Sequence, residues 1–338
     1  MLKNKIYFIT IAIAFLPTHF AFGQLSDLFK KSADSYSTVG IGGGSSHYFG
    51  DLSAYKTFYY GLYSNVRWNG TLNYAVHLNP RFTARAAFTY ARIFGNDATY
   101  GWSIADSKAS NFRLRNLHFR NDLMEFTAMG LFTLIPMEEK KARNAPLQWS
   151  PYAGIGIGLA SHDPKARASI QDINGNIRVN QDGNVYVQPW RSLRNEMTEG
   201  QTKVYSSIVP VIPISLGIKT KLNPNWILSI EGSFRLTFSD YLDDVSSGQY
   251  QMGNEFSYRA AEDYYALNGK PRAEDFRKAL TASGINHPSN VYPQPFAYGV
   301  VTPGPRSAEG FMKDGYILTQ ITLNYIITSR VKCPPIAQ

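Results

Sequence analysis

Residues 223–244 read NPNWILSIEGSFRLTFSDYLDD and give the clearest indication of the fold. After the turn Asn223-Pro224-Asn225, apolar and polar residues alternate with the period of two that defines a β-strand. The apolar face comprises Trp226, Leu228, Ile230, Gly232, Phe234, Leu236 and Phe238. The opposite face is mostly polar and carries Glu231 and Arg235. An apolar face bracketed by aromatic residues, backed by a charged face, is typical of a transmembrane barrel strand between lipid and a polar lumen.

Seven further stretches repeat this alternation. They are 35–47, 69–78, 82–94, 117–134, 149–159, 206–222 and 316–327. Short connections at 79–81, 136–148 and 223–225 alternate with long ones that start at 48, 95, 160 and 239. Outer-membrane barrels have this asymmetry, with short periplasmic turns and long extracellular loops. The sequence therefore predicts an all-β fold, an eight-stranded antiparallel up-and-down transmembrane β-barrel with long extracellular loops.

Two of the predicted loops carry structural signals of their own. Loop 160–205 contains Asn174-Gly175 and Asp182-Gly183, which are hairpin-turn pairs. Loop 239–315 contains two helical patterns, 255–267 and 272–283. We expect a β-hairpin in the first loop and a partly helical cap in the second.

The N-terminal residues have the features of a secretory signal peptide. Lys3 and Lys5 precede the apolar run 6–16, and Ala21-Phe22-Gly23 forms a small-residue cleavage site. We expect cleavage before Gln24 and export to the outer membrane. The predicted divisions are a signal peptide at 1–23, a periplasmic segment at 24–34, the barrel at 35–330 and a periplasmic tail at 331–338.

Composition narrows the classes of function. The net charge is +9, yet Lys and Arg form no cluster or motif typical of nucleic-acid binding. The single Cys333 cannot support a disulfide framework, and its role stays open. We expect membrane lipid and protein partners, and no nucleic acid.

An eight-stranded barrel has an interior just wide enough for its own side chains. The charged residues predicted to face this lumen are Arg85, Glu125, Lys219, Glu231 and Arg235. Charges in such a narrow space are costly unless they are paired. We therefore predict an ion-pair network that plugs the lumen, which argues against a diffusion pore.

Signatures of catalysis are absent from the sequence. It contains neither a GxSxG nucleophile elbow nor an HExxH zinc motif. The histidines lack metal-ligand spacing, and Ser45, Ser46 and His47 are consecutive, so that neighbours among them point to opposite faces of a strand. The acidic run Asp240, Asp243 and Asp244 suits a cation, but solvated loop acids are the commoner explanation. We predict no catalytic residue, no metal and no cofactor.

Four stretches together resemble the PorG-like family of outer-membrane barrels of Bacteroidota, which is associated with the type IX secretion system. They are YFGDL at 48–52, HFRND at 118–122, FSDYLDDVS at 238–246 and KDGY at 313–316. The most specific part comprises Asp240, Tyr241, Leu242, Asp243 and Asp244. The resemblance implies a non-enzymatic barrel that anchors or assembles a secretion or gliding machine by attaching its periplasmic ring, a lipoprotein and its partner, to the outer membrane.

Two hypotheses about partners stay open. If the ring role carries over, the surface available to a periplasmic partner comprises the three turns and both termini. The long turn carries five charged residues, although solvation alone also explains these charges. These residues are Glu138, Glu139, Lys140, Lys141 and Arg143. Loops 160–205 and 239–315 exceed what a minimal family member needs. The alternative is therefore a surface-binding barrel whose extracellular loops bind a partner protein, a glycan or a nutrient-uptake complex.

Overall fold

The structure is a computed structural model that describes residues 35–53, 65–96, 117–136, 148–167, 180–183, 189–199, 201–246 and 314–327. The strands are β1 Tyr36–Phe49, β2 Arg67–His77, β3 Phe82–Asn96, β4 His118–Thr133, β5 Trp149–Ser161, β6 Pro164–Ala166, β7 Arg191–Ser192, β8 Ile208–Asn223, β9 Trp226–Thr237 and β10 Gly315–Ile327. Among the described residues, no helix has the length and apolar character needed to cross a membrane.

Eight long strands form one closed antiparallel barrel. Each pairs with its neighbours in the order β1, β2, β3, β4, β5, β8, β9, β10, and β10 returns to pair with β1. The first and last strands run together from Ser37↔Ile327 to Phe49↔Gly315. The predicted all-β, up-and-down architecture is confirmed.

The alternation predicted for β9 is present. Glu231, Ser233 and Arg235 are buried in the lumen, whereas Ile230 and Leu236 are exposed on the outer wall. Other strands place large apolar side chains outward as well, with Ile41 64%, Ile157 72% and Leu216 68% exposed. A continuous apolar outer wall around a polar interior is the surface that a lipid bilayer covers.

Aromatic side chains lie at both ends of this wall. Trp226 packs edge-on against Tyr325 near the end with the short turns, with ring centroids 5.1 Å apart. Trp68 and Tyr90 pair near the opposite end at 5.3 Å. Such girdles occupy the two membrane interfaces. The apolar wall between them is therefore the membrane-spanning part of the barrel.

Asparagine side chains build the two tightest turns. Asn79 Oδ1 accepts hydrogen bonds from the backbone N–H groups of Arg81 and Phe82, at 2.9 and 2.8 Å. Asn223 Oδ1 accepts from the N–H of Asn225 at 2.9 Å. The proline that follows each asparagine has no N–H to satisfy, so it suits these turns.

The structure lengthens the first predicted strand and places two short strands within the predicted loop 160–205. β1 continues beyond His47 to Phe49, because Tyr48 pairs with Tyr316 in the closing ladder. Within loop 160–205, β6 and β7 pair antiparallel, and β6 also pairs with the outer part of β4. We call the outer part of β4 with β6 and β7 the wing.

Several predicted features lie outside the described residues. These are the signal peptide 1–23, the segment 24–34, the Asn174-Gly175 pair, the charged residues Glu138, Glu139, Lys140, Lys141 and Arg143, the helical patterns 255–267 and 272–283, Cys333 and the tail 331–338.

Candidate functional site

The middle of the lumen is crossed by an ion pair between β3 and β9. Arg85 binds Glu231 through both terminal nitrogens, with Nη1 to Oε2 at 2.7 Å and Nη2 to Oε1 at 2.8 Å. The Tyr152 hydroxyl donates to the same Oε2 at 2.8 Å. Two-pronged contacts between guanidinium and carboxylate are strong and directional. The pair therefore ties opposite walls of the barrel together.

A second ion pair lies further toward the outer end. Arg235 donates to Glu125 from Nη2 at 3.0 Å and from Nε at 3.2 Å. The Tyr316 hydroxyl donates to Glu125 Oε2 at 2.5 Å. The two charged side chains are 3% and 1% exposed, so water does not screen the pair.

The structure thus brings four of the five predicted lumen residues into two pairs and places Lys219 apart. Lys219 Nζ donates to Thr133 Oγ1 at 3.0 Å. Tyr152 and Tyr316 were not predicted as lumen residues, although each carboxylate binds one of them. The signal that identifies them is an aromatic hydroxyl at a lumen-facing position of a strand.

At the end of the barrel that carries the long connections, which we call the outer mouth, parts of all four PorG-like stretches meet. The Tyr48 hydroxyl lies 2.7 Å from Asp243 Oδ2 and 2.6 Å from Asp314 Oδ1. Asp314 Oδ2 accepts from the backbone N–H of Leu242 at 2.9 Å. Asn121 Nδ2 donates to the Leu242 carbonyl at 2.8 Å. We call these five residues the mouth cluster.

The mouth cluster is surrounded by fully buried apolar side chains. Leu242 is fully buried, together with Leu52, Phe119 and Val245. The Tyr48 ring packs edge-on against Phe119, with centroids 4.7 Å apart. Segment 239–246 therefore lies across the outer mouth and closes it.

A single hydroxyl cannot donate to two carboxylates at once. One of the two contacts of Tyr48 therefore requires a proton on Asp243 or Asp314. Burial raises the pKa of both carboxyls well above the ordinary value, and nearby carboxylates, among them Asp51, raise them further. One of these two acids accordingly carries a proton.

The remaining residues of 240–244 fasten this segment to loop 160–205. Asp244, at a φ of 66°, accepts from the Thr198 hydroxyl at 2.7 Å and from the Tyr205 hydroxyl at 2.9 Å. The Tyr241 ring stacks on Tyr205 at 4.6 Å and 7°. Asp240 is half-buried where the segment begins.

The solvated interpretation of the acidic run is wrong for two of its members. Asp243 and Asp244 are both fully buried, because they bind hydroxyl and backbone groups rather than water. No group of three His, Cys, Asp or Glu residues that could hold a metal ion occurs among the described residues. In that part of the chain these acids act as structural hydrogen-bond acceptors.

Ser45 and His47 lie two positions apart in β1, so they share one face of the strand. Ser45 Oγ is 2.7 Å from His47 Nε2 and 2.5 Å from the Thr319 hydroxyl. The prediction that neighbours among Ser45, Ser46 and His47 point to opposite faces does not apply to the first and third of them, which makes this contact possible. The three side chains thus form a short chain of polar contacts within the barrel wall.

The closed ladder, the apolar outer wall and the filled lumen define an eight-stranded transmembrane β-barrel of the outer-membrane type. A family model described as "Domain of unknown function (DUF6089)" matches residues 184–278, which span β7, β8, β9 and the segment that closes the mouth. None of the curated proteins matches the chain in sequence.

Solved outer-membrane proteins are similar to this chain at low identity. Ail, the attachment invasion locus protein of Yersinia pestis, solved with the heparin analogue sucrose octasulfate, is 9% identical, with a TM-score of 0.32 over 87% of this chain and 99% of that one. Neisserial surface protein A is 8% identical, with a TM-score of 0.34 over 86% and 96%. A major outer membrane protein of Thermus thermophilus is 13% identical, with a TM-score of 0.31 over 87% and 99%. The closed barrel and its apolar outer wall, rather than these similarities, define the protein as an outer-membrane barrel.

Proposed function

We propose that this protein is a non-enzymatic outer-membrane barrel that anchors or assembles a type IX protein secretion or gliding machine through periplasmic ring proteins. The observation that carries the proposal is the mouth cluster. Residues from all four PorG-like stretches, separated widely in sequence, contact one another there. This convergence supports the interpretation that the resemblance reflects one shared structural device.

The state of the lumen supports an anchor over a channel. Two buried ion pairs cross the interior, and segment 239–246 covers the outer mouth. A barrel filled in this way offers solutes no open path. It does offer a rigid membrane body to which other proteins can attach.

Two of the turns on the periplasmic side, 79–81 and 224–225, are short. We therefore propose that ring proteins contact the charged turn between β4 and β5. The residues concerned are Glu138, Glu139, Lys140, Lys141 and Arg143.

Affinity purification of the full-length protein from native membranes in mild detergent tests this function. Periplasmic ring proteins are expected to co-purify, and replacing the five charged turn residues with serine is expected to reduce their yield. The matched control replaces Asp182 and Lys203, which are exposed on the extracellular side. Unchanged yield in the turn variant would exclude that contact, and recovery of a lone monomer would count against anchoring altogether.

A second candidate function is favoured by a hydrogen bond that holds the two ends of the longest loop together. The hydrogen bond from the Leu242 N–H to Asp314 joins the chain just before residue 247 to the chain just after residue 313. The intervening segment thus leaves and returns at one fixed place on the rim. We propose as the alternative that this segment and loop 160–205 bind a partner protein, a glycan or a nutrient-uptake complex.

Replacing residues 248–312 with a short Gly-Ser linker separates the two candidates. The barrel is expected to fold, because Asp243, Leu242 and Asp314 remain. Ring proteins retained by this variant would support anchoring. Loss of a co-purifying surface lipoprotein or transporter, with no ring proteins in either sample, would support surface binding.

A further inference from the structure

Two arginines contact the ring of one tryptophan beside the wing strands. The guanidinium carbon of Arg120 lies 4.6 Å from the centroid of the Trp190 ring, and that of Arg167 lies 5.1 Å from it. Attraction between a guanidinium and an indole face stabilises each contact. Both guanidinium groups contact the same ring, so two positive charges are held close to Trp190.

The pairing of the wing strands produces this meeting. Arg120 lies in β4 opposite Lys165 of β6, and Arg167 directly follows β6. Trp190 directly precedes β7, which pairs with β6. Three segments separated in sequence thus converge, and Lys165, opposite Arg120, has its own carboxylate in Asp163 at 3.9 Å.

The charges of the two arginines are poorly compensated. The carboxylate near Arg120 is Asp122, 3.9 Å away, and Arg92 already binds Asp122 at 2.5 Å. No acidic partner of the Arg167 guanidinium is found within the described ranges. The Nε atoms of Arg120 and Arg167 are both buried there without a hydrogen-bond acceptor. Buried donors without acceptors are costly, so this place favours an added anion.

The position of the wing relative to the membrane indicates the kind of anion. On the outer face of β4, Phe126 and Met124 are exposed apolar residues, 59% and 52%, and belong to the membrane-facing wall. Arg120 lies four positions beyond Met124 on the same face, about 13 Å along the strand at about 3.3 Å per residue. Because Met124 pairs with Tyr90 of the outer aromatic pair, Arg120 lies beyond the apolar wall, on the side where the headgroups of the outer leaflet are expected.

We propose that Arg120 and Arg167, held by Trp190, bind a phosphate group of a glycolipid in the outer leaflet. Guanidinium groups donate parallel hydrogen bonds that match phosphate oxygens, which an ammonium cannot do in the same way. The proposal depends on the outer-membrane placement of the barrel and is independent of the periplasmic partner.

Native mass spectrometry of the full-length protein in detergent tests the site, with diphosphorylated lipid A, its dephosphorylated form and inorganic phosphate as probes. The diphosphorylated form is expected to bind, and the dephosphorylated form about tenfold or more weakly, because charge-assisted contacts are lost. Arg120→Ala combined with Arg167→Ala is expected to weaken binding by a similar factor. Arg81→Ala, an exposed arginine in the periplasmic turn, is the charge-matched control and is expected to change nothing.

A second variant keeps the test decisive if the alanine substitutions impair folding. Arg120→Lys with Arg167→Lys preserves the charge and removes the guanidinium geometry, so lipid A binding is still expected to weaken. Equal binding of phosphorylated and dephosphorylated lipid A, or full binding by both double variants, would overturn the proposal. Displacement of lipid A by equimolar inorganic phosphate would assign the site to free phosphate and overturn the glycolipid.

Discussion

Asp243 and Asp314 approach the same hydroxyl group, that of Tyr48, at 2.7 and 2.6 Å. One acid immediately precedes the longest outer segment and the other follows it. The Tyr48 hydroxyl therefore connects both ends of that segment to the first strand, beside the β1–β10 pairing that closes the barrel.

The mouth cluster is expected to weaken as the pH rises. Burial raises the pKa of both carboxyls, so the protonated form is the stabilised one. Its contribution is complete below the ordinary aspartate pKa of 3.8 and is lost as the pH passes the raised value. Denaturant unfolding of the purified protein, from about pH 4 to about pH 9, measures this loss as a falling free energy of unfolding.

Asp243→Asn is the matching variant. The amide Nδ2 can donate to the Tyr48 oxygen while Oδ1 still accepts from Val245, so the hydroxyl is free to donate to Asp314. The variant is expected to fold and to show a flatter pH profile. The control, Asp182→Asn, changes an exposed acid and is expected to keep the wild-type profile. An unchanged profile in Asp243→Asn would contradict a proton on one of the two acids.

The ion pair between Arg235 and Glu125 is expected to behave as a coupled unit. Arg235→Met alone leaves a buried carboxylate without its cation and is expected to cost about 3–5 kcal/mol. Adding Glu125→Leu removes the stranded charge, so the double variant is expected to recover much of that cost. The measurement is a double-mutant cycle of unfolding free energies in detergent.

Lys219→Met provides the control for this cycle. Lys219 also lies in the lumen, but it binds the Thr133 hydroxyl and leaves no carboxylate behind when it is replaced. Its cost is expected to be smaller, about 1 kcal/mol. Additive effects of Arg235→Met and Glu125→Leu would show that the pair is not coupled.

Much of the fold is predictable because a barrel strand obeys two local rules. Alternation assigns Ile230 outward and Glu231 inward without any knowledge of the neighbouring strands. Asparagine followed by proline marks both tight turns, where the side chains of Asn79 and Asn223 accept hydrogen bonds from backbone N–H groups of the turn. Each rule depends on residues a few positions apart, so the sequence displays it directly.

The partners within the lumen and the mouth cluster depend on the registers of strands distant in sequence. Alternation places Arg85 and Arg235 inside but does not state which carboxylate each one meets. The contact between Tyr48 and Asp243 arises only because β10 closes against β1. Acidic residues in a predicted loop are consequently interpreted as solvated, although Asp243 and Asp244 are buried.

The intact barrel is expected to conduct no ions in planar lipid bilayers. Both ion pairs occupy the interior, and the mouth is covered by Leu242 and its neighbours. Replacing all four paired residues, Arg85, Glu125, Glu231 and Arg235, with serine, together with Leu242→Ser in the mouth, is expected to admit water and produce measurable conductance steps. Regular steps from the purified wild-type protein would contradict a closed lumen.

Glycines in two adjacent strands give a matched test of the closing seam. A Cβ atom added at Gly44 would lie 1.9 Å from the Thr319 carbonyl oxygen, a backbone atom of β10 that cannot move without distorting the β1–β10 ladder. A Cβ added at Gly70 in β2 would meet nothing within 4 Å. Gly44→Ala is therefore expected to destabilise the barrel by about 1–3 kcal/mol or more. Gly70→Ala is expected to stabilise it by about 0.5–1 kcal/mol, because glycine in a strand loses more entropy on folding than alanine.

Denaturant titration of both purified variants, together with the heat-dependent shift in gel migration that reports a folded barrel, makes the comparison. The two substitutions add the same methyl group, so differences in side-chain chemistry cancel, and the outcome depends on the approach of β10 to β1. Equal stability of the two variants would mean that the strands are further apart at Gly44 than the ladder from Ser37 to Phe49 requires.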